Sequence, residues 1–258
     1  MLVFGGYTIS GRTNSLQYYW PSNDTWASIP VSQISARYQH TAVWDDQNNR
    51  MLVLAGFAGG GAVYNDLWSY DPINNSWQHV SDVPVELGYH MAAWDSTTKQ
   101  MFVFGGRNSG GAHLDDLYAY SPSKNSWSKK ATGPSARIRS SLTYDPVNGA
   151  VVLYGGVTDT YNNETWIYYP TNDTWVQKKN GPSTRYGHTA VWDSVENRML
   201  MYAGNNGTSL YDLWSYLPNK DQWTKLTDGG TGRLFHTAIW DGTNNEMLVF
   251  AGDGAGQG

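Results

Sequence analysis

Short hydrophobic stretches alternate along the chain with clusters of Gly, Asn, Asp and Pro. One of them, RMLVLAGFAGGG at residues 50–61, runs from an apolar strand pattern directly into glycines. A strand that enters a glycine-rich turn is typical of the start of a dinucleotide-binding fold. However, five similar stretches recur at intervals of 48 to 50 residues: MLVFGG (1–6), MFVFGG (101–106), VVLYGG (151–156), MLMYAG (199–204) and MLVFAG (247–252). Six copies of one pattern indicate a structural repeat rather than a nucleotide site.

Each period of the repeat predicts four short β-strands. In the second unit they lie at 38–44 (strand a), 51–55 (strand b), 66–70 (strand c) and 76–80 (strand d). These segments are rich in β-branched and aromatic residues and are bounded by turn-forming residues. No segment shows the extended 3.6-residue apolar rhythm of a helix. Four antiparallel strands in a repeat of this length are typical of a β-propeller blade.

A tyrosine followed seven positions later by a tryptophan is the most regular feature of the repeat. It occurs as Tyr19/Trp26, Tyr70/Trp77, Tyr120/Trp127, Tyr168/Trp175 and Tyr216/Trp223. Together with the Gly-Gly or Ala-Gly pair after strand b, this pattern resembles the kelch repeat of the β-propeller proteins over essentially the whole chain. The resemblance implies an all-β, kelch-type propeller built from four-stranded antiparallel blades.

The strand count predicts five blades in one domain spanning residues 1–258. The predicted units are 1–29, 37–81, 87–131, 137–179 and 185–226. In the kelch family a C-terminal strand commonly becomes the innermost strand of the N-terminal blade, so residues 234–240 are expected to complete the unit 1–29. Residues 241–258 would then supply an extra strand and a Gly-rich tail. The alternative is part of a six- or seven-bladed ring. We expect a monomer, with self-association through the surplus strand as the alternative.

Composition narrows the classes of function. The net charge of −5 argues against a nucleic-acid partner, and no apolar run is long enough to span a membrane. The absence of Cys excludes the Cys–Tyr cofactor of galactose oxidase-type propellers. We expect neither a cofactor nor a metal. The 13 Trp fall almost entirely at repeat positions, which predicts packing between blades. The surface, rich in Asn, Thr, Ser and Trp and poor in Lys, favours an extracellular or cell-surface setting.

Two polar positions recur around strand a. An aspartate follows the strand in every unit and is interpreted as a turn-capping residue (Asp45, Asp95, Asp145, Asp193 and Asp241). A histidine lies near the start of the strand, three residues after the arginine position, in four units (His40, His90, His188 and His236). Because repetition around a ring holds these imidazoles apart from any common ion, we expect them to make structural hydrogen bonds rather than to bind a metal.

The best binding candidates lie at the start of strand a, near the central channel. Arginines recur there as Arg37, Arg137, Arg185 and Arg233, and the third full repeat adds Arg139. Resemblance to kelch domains that hold acidic peptides with arginines at this place implies recognition of an anion. Three tyrosines close to the arginine position are expected to line the same rim (Tyr38, Tyr89 and Tyr186). The alternative is that the arginines pack over aromatic rings and backbone carbonyls.

The b–c and d–a connections vary in length and charge, as binding loops on a rigid scaffold commonly do. The sequence therefore predicts a non-catalytic module that binds a protein or glycan, with an anionic ligand favoured, through this loop face. The alternative is a sugar-modifying enzyme of the mutarotase or glycosidase kind. It would need a singular acid or base at the channel mouth, for which Glu164, Asp115 and His113 are the candidates.

Overall fold

The computed structural model describes residues 1–30 and 33–254, and the chain is an all-β, five-bladed propeller. The first blade has three strands in the order β1-β2-β3. They are β1 (Leu2–Thr8), β2 (Gly11–Trp20) and β3 (Thr25–Ile29). The predicted fold class and blade number are confirmed.

The other four blades are complete antiparallel sheets whose strands follow chain order from the channel outwards. The second and third blades contain β4 (Thr41–Asp45), β5 (Arg50–Phe57), β6 (Val63–Asp71), β7 (Ser76–Asp82), β8 (Met91–Asp95), β9 (Gln100–Phe104), β10 (Leu117–Ser121) and β11 (Ser126–Lys129). The fourth and fifth contain β12 (Ser141–Asp145), β13 (Ala150–Tyr154), β14 (Thr165–Tyr169), β15 (Thr174–Gln177), β16 (Thr189–Asp193), β17 (Arg198–Asn205), β18 (Ser209–Leu217) and β19 (Gln222–Asp228). The described part of the chain also contains two short 3-10 turns, at Gly59–Gly61 and Pro218–Lys220.

The C-terminal part differs from the expected closure. The chain continues through β20 (Arg233–Leu234), β21 (Thr237–Asp241), β22 (Glu246–Phe250) and β23 (Asp253–Gly254). Strand β21 pairs with β22 and, within the described residues, not with the first blade, so residues 234–240 do not complete the unit 1–29 by strand pairing. Strands β21 and β22 pair with each other because the tight turn between them brings them together. The hairpin packs against the first blade through Phe250 and Trp26, whose ring centroids are 4.7 Å apart. The predicted tail residues 255–258 lie outside the described residues.

The recurring Tyr and Trp are cross-strand partners at the end of strands c and d. Tyr70 lies directly opposite Trp77, with ring centroids 5.0 Å apart, and its hydroxyl donates to Asn75 in the turn between them. The turn residue has a left-handed φ of 46°, which Asn and Asp tolerate better than other non-glycine residues. The Trp then packs on the preceding blade, as Trp77 does on Phe4 at 4.9 Å. The spacing of seven therefore encodes both the turn and the contact between blades.

The repeated aspartates and histidines have the structural roles predicted for them. Asp45 accepts the backbone N–H groups of Gln47 and Asn48, and the other four aspartates cap their turns in the same way. Three of the four histidines connect neighbouring blades: Nε2 of His90 lies 2.8 Å from the hydroxyl of Thr41, that of His188 lies 3.0 Å from the hydroxyl of Ser141, and that of His236 lies 2.8 Å from the hydroxyl of Thr189. The turn-capping role of the five aspartates is confirmed, as are the structural hydrogen bonds of His90, His188 and His236.

None of the helical turns in the described residues has the length and apolar character needed to cross a bilayer. The inner strands β4, β8, β12, β16 and β21 neighbour one another in this order around the channel. The loops that precede them form one mouth of the channel, where the predicted binding residues lie.

Candidate binding face at the channel mouth

The residues two positions before each inner strand form a connected arc around the mouth. In the last four members of the set, the N–H donates to the carbonyl of the counterpart in the preceding unit, over 2.8–3.1 Å, and all five members have a left-handed φ of 54–65°. We call this set the mouth ring, and its members are Gln39, Tyr89, Arg139, Gly187 and Phe235. These hydrogen bonds and the shared left-handed conformation fix the backbone of the mouth ring. They therefore also fix the directions in which its side chains project.

Arg139 is the cation of this ring. The carbon at the centre of its guanidinium lies 4.3 Å from the ring centroid of Tyr89, 4.8 Å from that of Phe235 and 5.6 Å from that of Tyr186. Among the described residues no carboxylate lies within ion-pairing distance of it, and its buried Nε has no hydrogen-bond partner. The aromatic faces stabilise the positive charge without neutralising it.

Aromatic rings continue from Arg139 in both directions. On one side Tyr89 packs on Phe57 at 4.7 Å, and the chain of rings continues to Tyr38 and Tyr7. On the other side, Phe235 and Tyr161 both contact Tyr186, at 5.9 and 5.0 Å. Tyr7 is 71% exposed and Tyr161 40% exposed, so the arc ends in accessible rings. The mouth therefore combines the unpaired charge of Arg139 with a partly exposed aromatic surface.

Three of the predicted arginines lie inside the blades. Arg37, Arg137 and Arg185 are fully buried. Arg37 and Arg185 form bidentate ion pairs with Asp66 and Asp212 over 2.7–2.9 Å. Arg137 pairs with Glu164 at 2.7 Å. Each guanidinium also donates to the carbonyl at the first position of the glycine pair, namely Ala55, Gly155 and Ala203.

These ion pairs remain charged at neutral pH. Burial by itself would raise the pKa of Asp66, but its hydrogen bonds with Arg37 and the charge of that arginine lower the pKa below its usual value. The same balance between burial and the arginine lowers the pKa of Glu164 and of Asp212. Each buried guanidinium therefore has its own counter-ion within the blade and contributes little net positive charge at the mouth.

The remaining predicted positions differ from these three. Arg233 is partly exposed, and its Nη1 donates to the carbonyl of Ala251 at 3.3 Å. Leu87 replaces the arginine in the third blade, where Asp116 pairs with Lys129 instead. Tyr89 stands one position later in its repeat than Tyr38 and Tyr186, which is why it belongs to the mouth ring and contacts Arg139.

The candidate acids and bases of an enzyme come from two blades, Asp115 and His113 from the third and Glu164 from the fourth. Glu164 is engaged by Arg137 and by the indole N–H of Trp166, which donates over 3.0 Å. No group of three side chains suited to a metal ion occurs among the described residues. Two surface concavities lie elsewhere, one beside Asn48 and Arg50 and one beside Trp20 and Pro72.

A family model, the Attractin/LZTR1 β-propeller, matches residues 1–210 of the chain. The chain belongs to the Attractin/LZTR1 β-propeller family. The kelch-type resemblance read from the repeat is thereby confirmed. A solved structure titled "Structure of YjhT" is similar in fold, with a TM-score of 0.76 and 16% identity, over 98% of this chain and 90% of that chain. No curated protein matches the chain.

Sequence reasoning missed four aromatic residues of the mouth in this Attractin/LZTR1-type propeller. Tyr7 and Phe57 each follow the glycine pair directly, so an aromatic at this repeat position was the available signal. Phe235 shares the repeat position of Tyr89 and Arg139. Tyr161 lies in the b–c connection of the fourth blade and does not occupy a recurring position of the repeat. Its contact with Tyr186 therefore follows only from the tertiary structure.

Proposed function

We propose that this propeller is a non-catalytic module that binds an anionic ligand, a carboxylated glycan in the first place, at the channel mouth through Arg139. The observation that carries the proposal is the position of this guanidinium, stacked on three aromatic rings without a carboxylate partner among the described residues. A planar guanidinium can donate two parallel hydrogen bonds to a carboxylate and keeps its charge at all physiological pH values.

The neighbouring aromatic surface supports a sugar rather than a small inorganic ion. Exposed tyrosines supply a flat apolar face and a polar hydroxyl, which suits the mixed surface of a saccharide or a peptide. In the proposal, the half-buried rings of Tyr38, Tyr89 and Tyr186 contact the ligand beside the exposed Tyr7 and Tyr161. Arg233 lies on the same rim as a second cation. The buried arginines have a structural role in this proposal, because each already forms an ion pair with a carboxylate (Arg37, Arg137 and Arg185).

The sugar-modifying alternative has weaker support. A general acid must hold its proton near the working pH, whereas Arg137 keeps the pKa of Glu164 low against the opposing effect of burial. Asp115 and His113 lie on the b–c connection of the third blade and have no partner acid or base within hydrogen-bonding distance among the described residues. A binding role is therefore favoured over catalysis.

The test compares an oligogalacturonate with a neutral oligosaccharide of equal length by titration calorimetry. The acidic oligosaccharide should bind the wild-type protein, and Arg139→Gln should weaken it about 10- to 100-fold, as the loss of a charged hydrogen bond does. Lys124→Gln is the matched control, because it removes the same charge from the c–d turn on the opposite face of the propeller. Equal binding of both oligosaccharides, or equal loss in the two variants, would contradict the proposal.

A sugar oxidised, hydrolysed or epimerised by the wild-type protein would favour the enzymatic alternative instead. That outcome is visible in the same samples by NMR of the oligosaccharide after incubation. If only acidic peptides bind, the anionic site stands and the glycan preference is wrong.

A further inference from the structure

We propose that a groove between the c–d hairpins of the first and second blades binds a proline-rich segment in the polyproline II conformation. The groove has a volume of about 370 Å³. Its lining residues are Tyr18, Trp20, Ile29, Tyr70, Pro72 and Asn75. The proposal goes beyond binding at Arg139 and is independent of it, because the groove and the channel mouth share no residue.

An aromatic pair distinguishes this groove from the rest of the repeat. Tyr18 and Trp20 flank the repeat tyrosine Tyr19 on β2, so their side chains lie on the same face of the strand, with ring centroids 4.3 Å apart. The other units have at these two positions Ser69 and Asp71, Ala119 and Ser121, Ile167 and Tyr169, and Ser215 and Leu217. Trp20 is 40% exposed and is the one tryptophan outside the repeat positions. The packing that the repeat encodes between blades therefore does not account for the pair.

Pro30 removes a contact that joins the c–d hairpin to the preceding blade elsewhere in the ring. In the fourth blade the turn residue Asp173 accepts the backbone N–H of Ala131 at 2.8 Å, and the fifth blade has the same contact. Pro30 stands at the position of Ala131, four residues after the repeat tryptophan, and has no N–H to donate. The corresponding turn residue of the second blade, Asn75, has no such bond to the first blade among the described residues.

The side chains of the groove are uncharged and present mainly hydrogen-bond donors. The side-chain oxygen of Asn75 already accepts the hydroxyl of Tyr70 at 3.1 Å, which leaves the Asn75 amide N–H groups as donors. The indole N–H of Trp20 can only donate. Within the described part of the chain, neither the Asn75 amide nor this indole donates to another group. A matching ligand is uncharged, has an apolar face and presents carbonyl acceptors.

A proline-rich segment has these properties. Proline has no N–H that would need an acceptor, and the polyproline II helix has no internal hydrogen bonds, so its carbonyls are free to accept. Its rings pack on aromatic side chains, which is an established mode of peptide recognition. A saccharide would bring many hydroxyl donors to a groove whose side chains offer few acceptors. The balance of donors and acceptors therefore favours the peptide.

The corresponding strand face of the second blade provides a contrast. Ser69 and Asp71 stand where the first blade has its aromatic pair, and they line a second concavity together with Arg50. This concavity contains charges of both signs and no aromatic ring. The aromatic and uncharged lining thus belongs to the groove of the first blade, although the two concavities occupy similar places in the repeat.

The test titrates capped octaproline into the full chain and follows side-chain resonances by NMR. The indole N–H of Trp20 and the side-chain amide of Asn75 should shift with a common saturation curve. The backbone amides of β12–β15 should not shift. A capped peptide of four Gly-Ser repeats, which has the same length but no apolar rings and a flexible backbone, should bind at least tenfold more weakly.

Variants of the groove test the two parts of the contact. Trp20→Ala should weaken octaproline binding at least tenfold. Trp20→Phe, which keeps an aromatic face but lacks the N–H, should weaken it about 3- to 10-fold, as the loss of one hydrogen bond does. Ile73→Ala is the matched control, because Ile73 is 83% exposed on the neighbouring turn and does not line the groove. Urea midpoints verify that each variant is folded.

Three outcomes would overturn the proposal. The first is the absence of shifts at Trp20 and Asn75. The second is an equal loss of affinity in Trp20→Ala and Ile73→Ala. The third is a shift of the Trp20 indole with cellohexaose but not with octaproline, which would assign the groove to a neutral glycan.

Discussion

Arginines that occupy similar places in the repeat have opposite environments in this propeller. Arg137 is buried and paired with Glu164, whereas Arg139, two residues later, stacks on aromatic rings at the mouth. Breaking a buried ion pair is costly because it leaves an uncompensated charge inside the protein. Removing a partly exposed cation from aromatic faces costs much less.

This contrast predicts the stability of two alanine variants. Arg137→Ala should lower the free energy of unfolding by about 3 kcal/mol, because Glu164 loses its counter-ion. Arg139→Ala should lower it by about 1 kcal/mol or less. Urea unfolding followed by Trp fluorescence measures both values. Equal costs in the two variants would show that Arg139 is as structural as Arg137.

The two positions of the glycine pair after strand b differ in how strictly they require glycine. Both have positive φ, near 54–67° at the first and 92–106° at the second. Alanine stands at the first position in three units, where the left-handed region is strained but accessible. At the second position a Cβ would collide with the inner strand in every unit except the first. The sequence accordingly keeps glycine there in all six copies.

Among the structural elements, the c–d hairpin carries side-chain contacts both within its own turn and to the preceding blade. Its left-handed turn residue accepts the hydroxyl of the repeat tyrosine, as Asp173 does from Tyr168 at 2.7 Å. The same carboxylate accepts the backbone N–H of Ala131 in the preceding blade at 2.8 Å. In the first blade Asp24 accepts from Tyr19 and from no other group of the described residues. The hairpin thus stabilises its own turn and, in the fourth blade, the neighbouring blade as well.

Two substitutions separate these contributions. Asp173→Ala should cost about 2 kcal/mol, because it removes two hydrogen bonds, each worth about 1 kcal/mol. Asp24→Ala, with the same backbone conformation and one hydrogen bond fewer, should cost about 1 kcal/mol less. Thermal unfolding by circular dichroism compares the two variants. A larger loss for Asp24→Ala would contradict this account of the hairpin.

For the whole molecule, the buried histidines predict how stability depends on pH. Burial, aided by neighbouring positive charge, lowers the pKa of His236 to about 4 and that of His188 well below 6.5, and burial lowers that of His90 to about 3. The folded state therefore favours neutral imidazoles, whereas the unfolded chain binds protons near pH 6.5.

Stability should accordingly be complete above pH 6.5 and decline as the pH falls from 6.5 towards 4, by up to about 1.4 kcal/mol per pH unit for each of these histidines. Urea midpoints measured between pH 7.5 and 4.5 test this slope. Replacing His236 by Gln, which retains a donor for Thr189, should flatten the slope by one proton. A midpoint independent of pH over this interval would contradict the burial of neutral histidines.

Ring closure is the second property of the whole molecule. The C-terminal hairpin β21–β22 covers the first blade through Phe250 and Trp26. Deletion of residues 230–258 should therefore raise amide exchange in β1–β3 more than in β12–β15, because repeat blades are stabilised mainly by their neighbours. Hydrogen exchange followed by mass spectrometry gives both rates. A uniform increase over all blades would show that closure acts on the ring as one cooperative unit.

The repeat, the strands, the turn-capping aspartates and the Tyr–Trp pairs could all be predicted from the chain. Each of these features is formed by residues close in sequence, and each pattern recurs in several repeats of the chain. The pairing partners of Arg37, Arg137 and Arg185 lie 27 to 29 residues away. They escaped prediction although an acid begins strand c in the same units.

Only the tertiary structure decided the surroundings of Arg139 and the pairing of the C-terminal strand. Tyr89, Tyr186 and Phe235 come from three different repeats and meet one cation because the inner strands neighbour one another around the channel. The repeats are alike in sequence, so each inner strand is chemically able to pair with any strand b. The competition is decided by geometry: the short turn makes β22 the nearest partner of β21, and the contact of Phe250 with Trp26 then holds the hairpin beside the first blade.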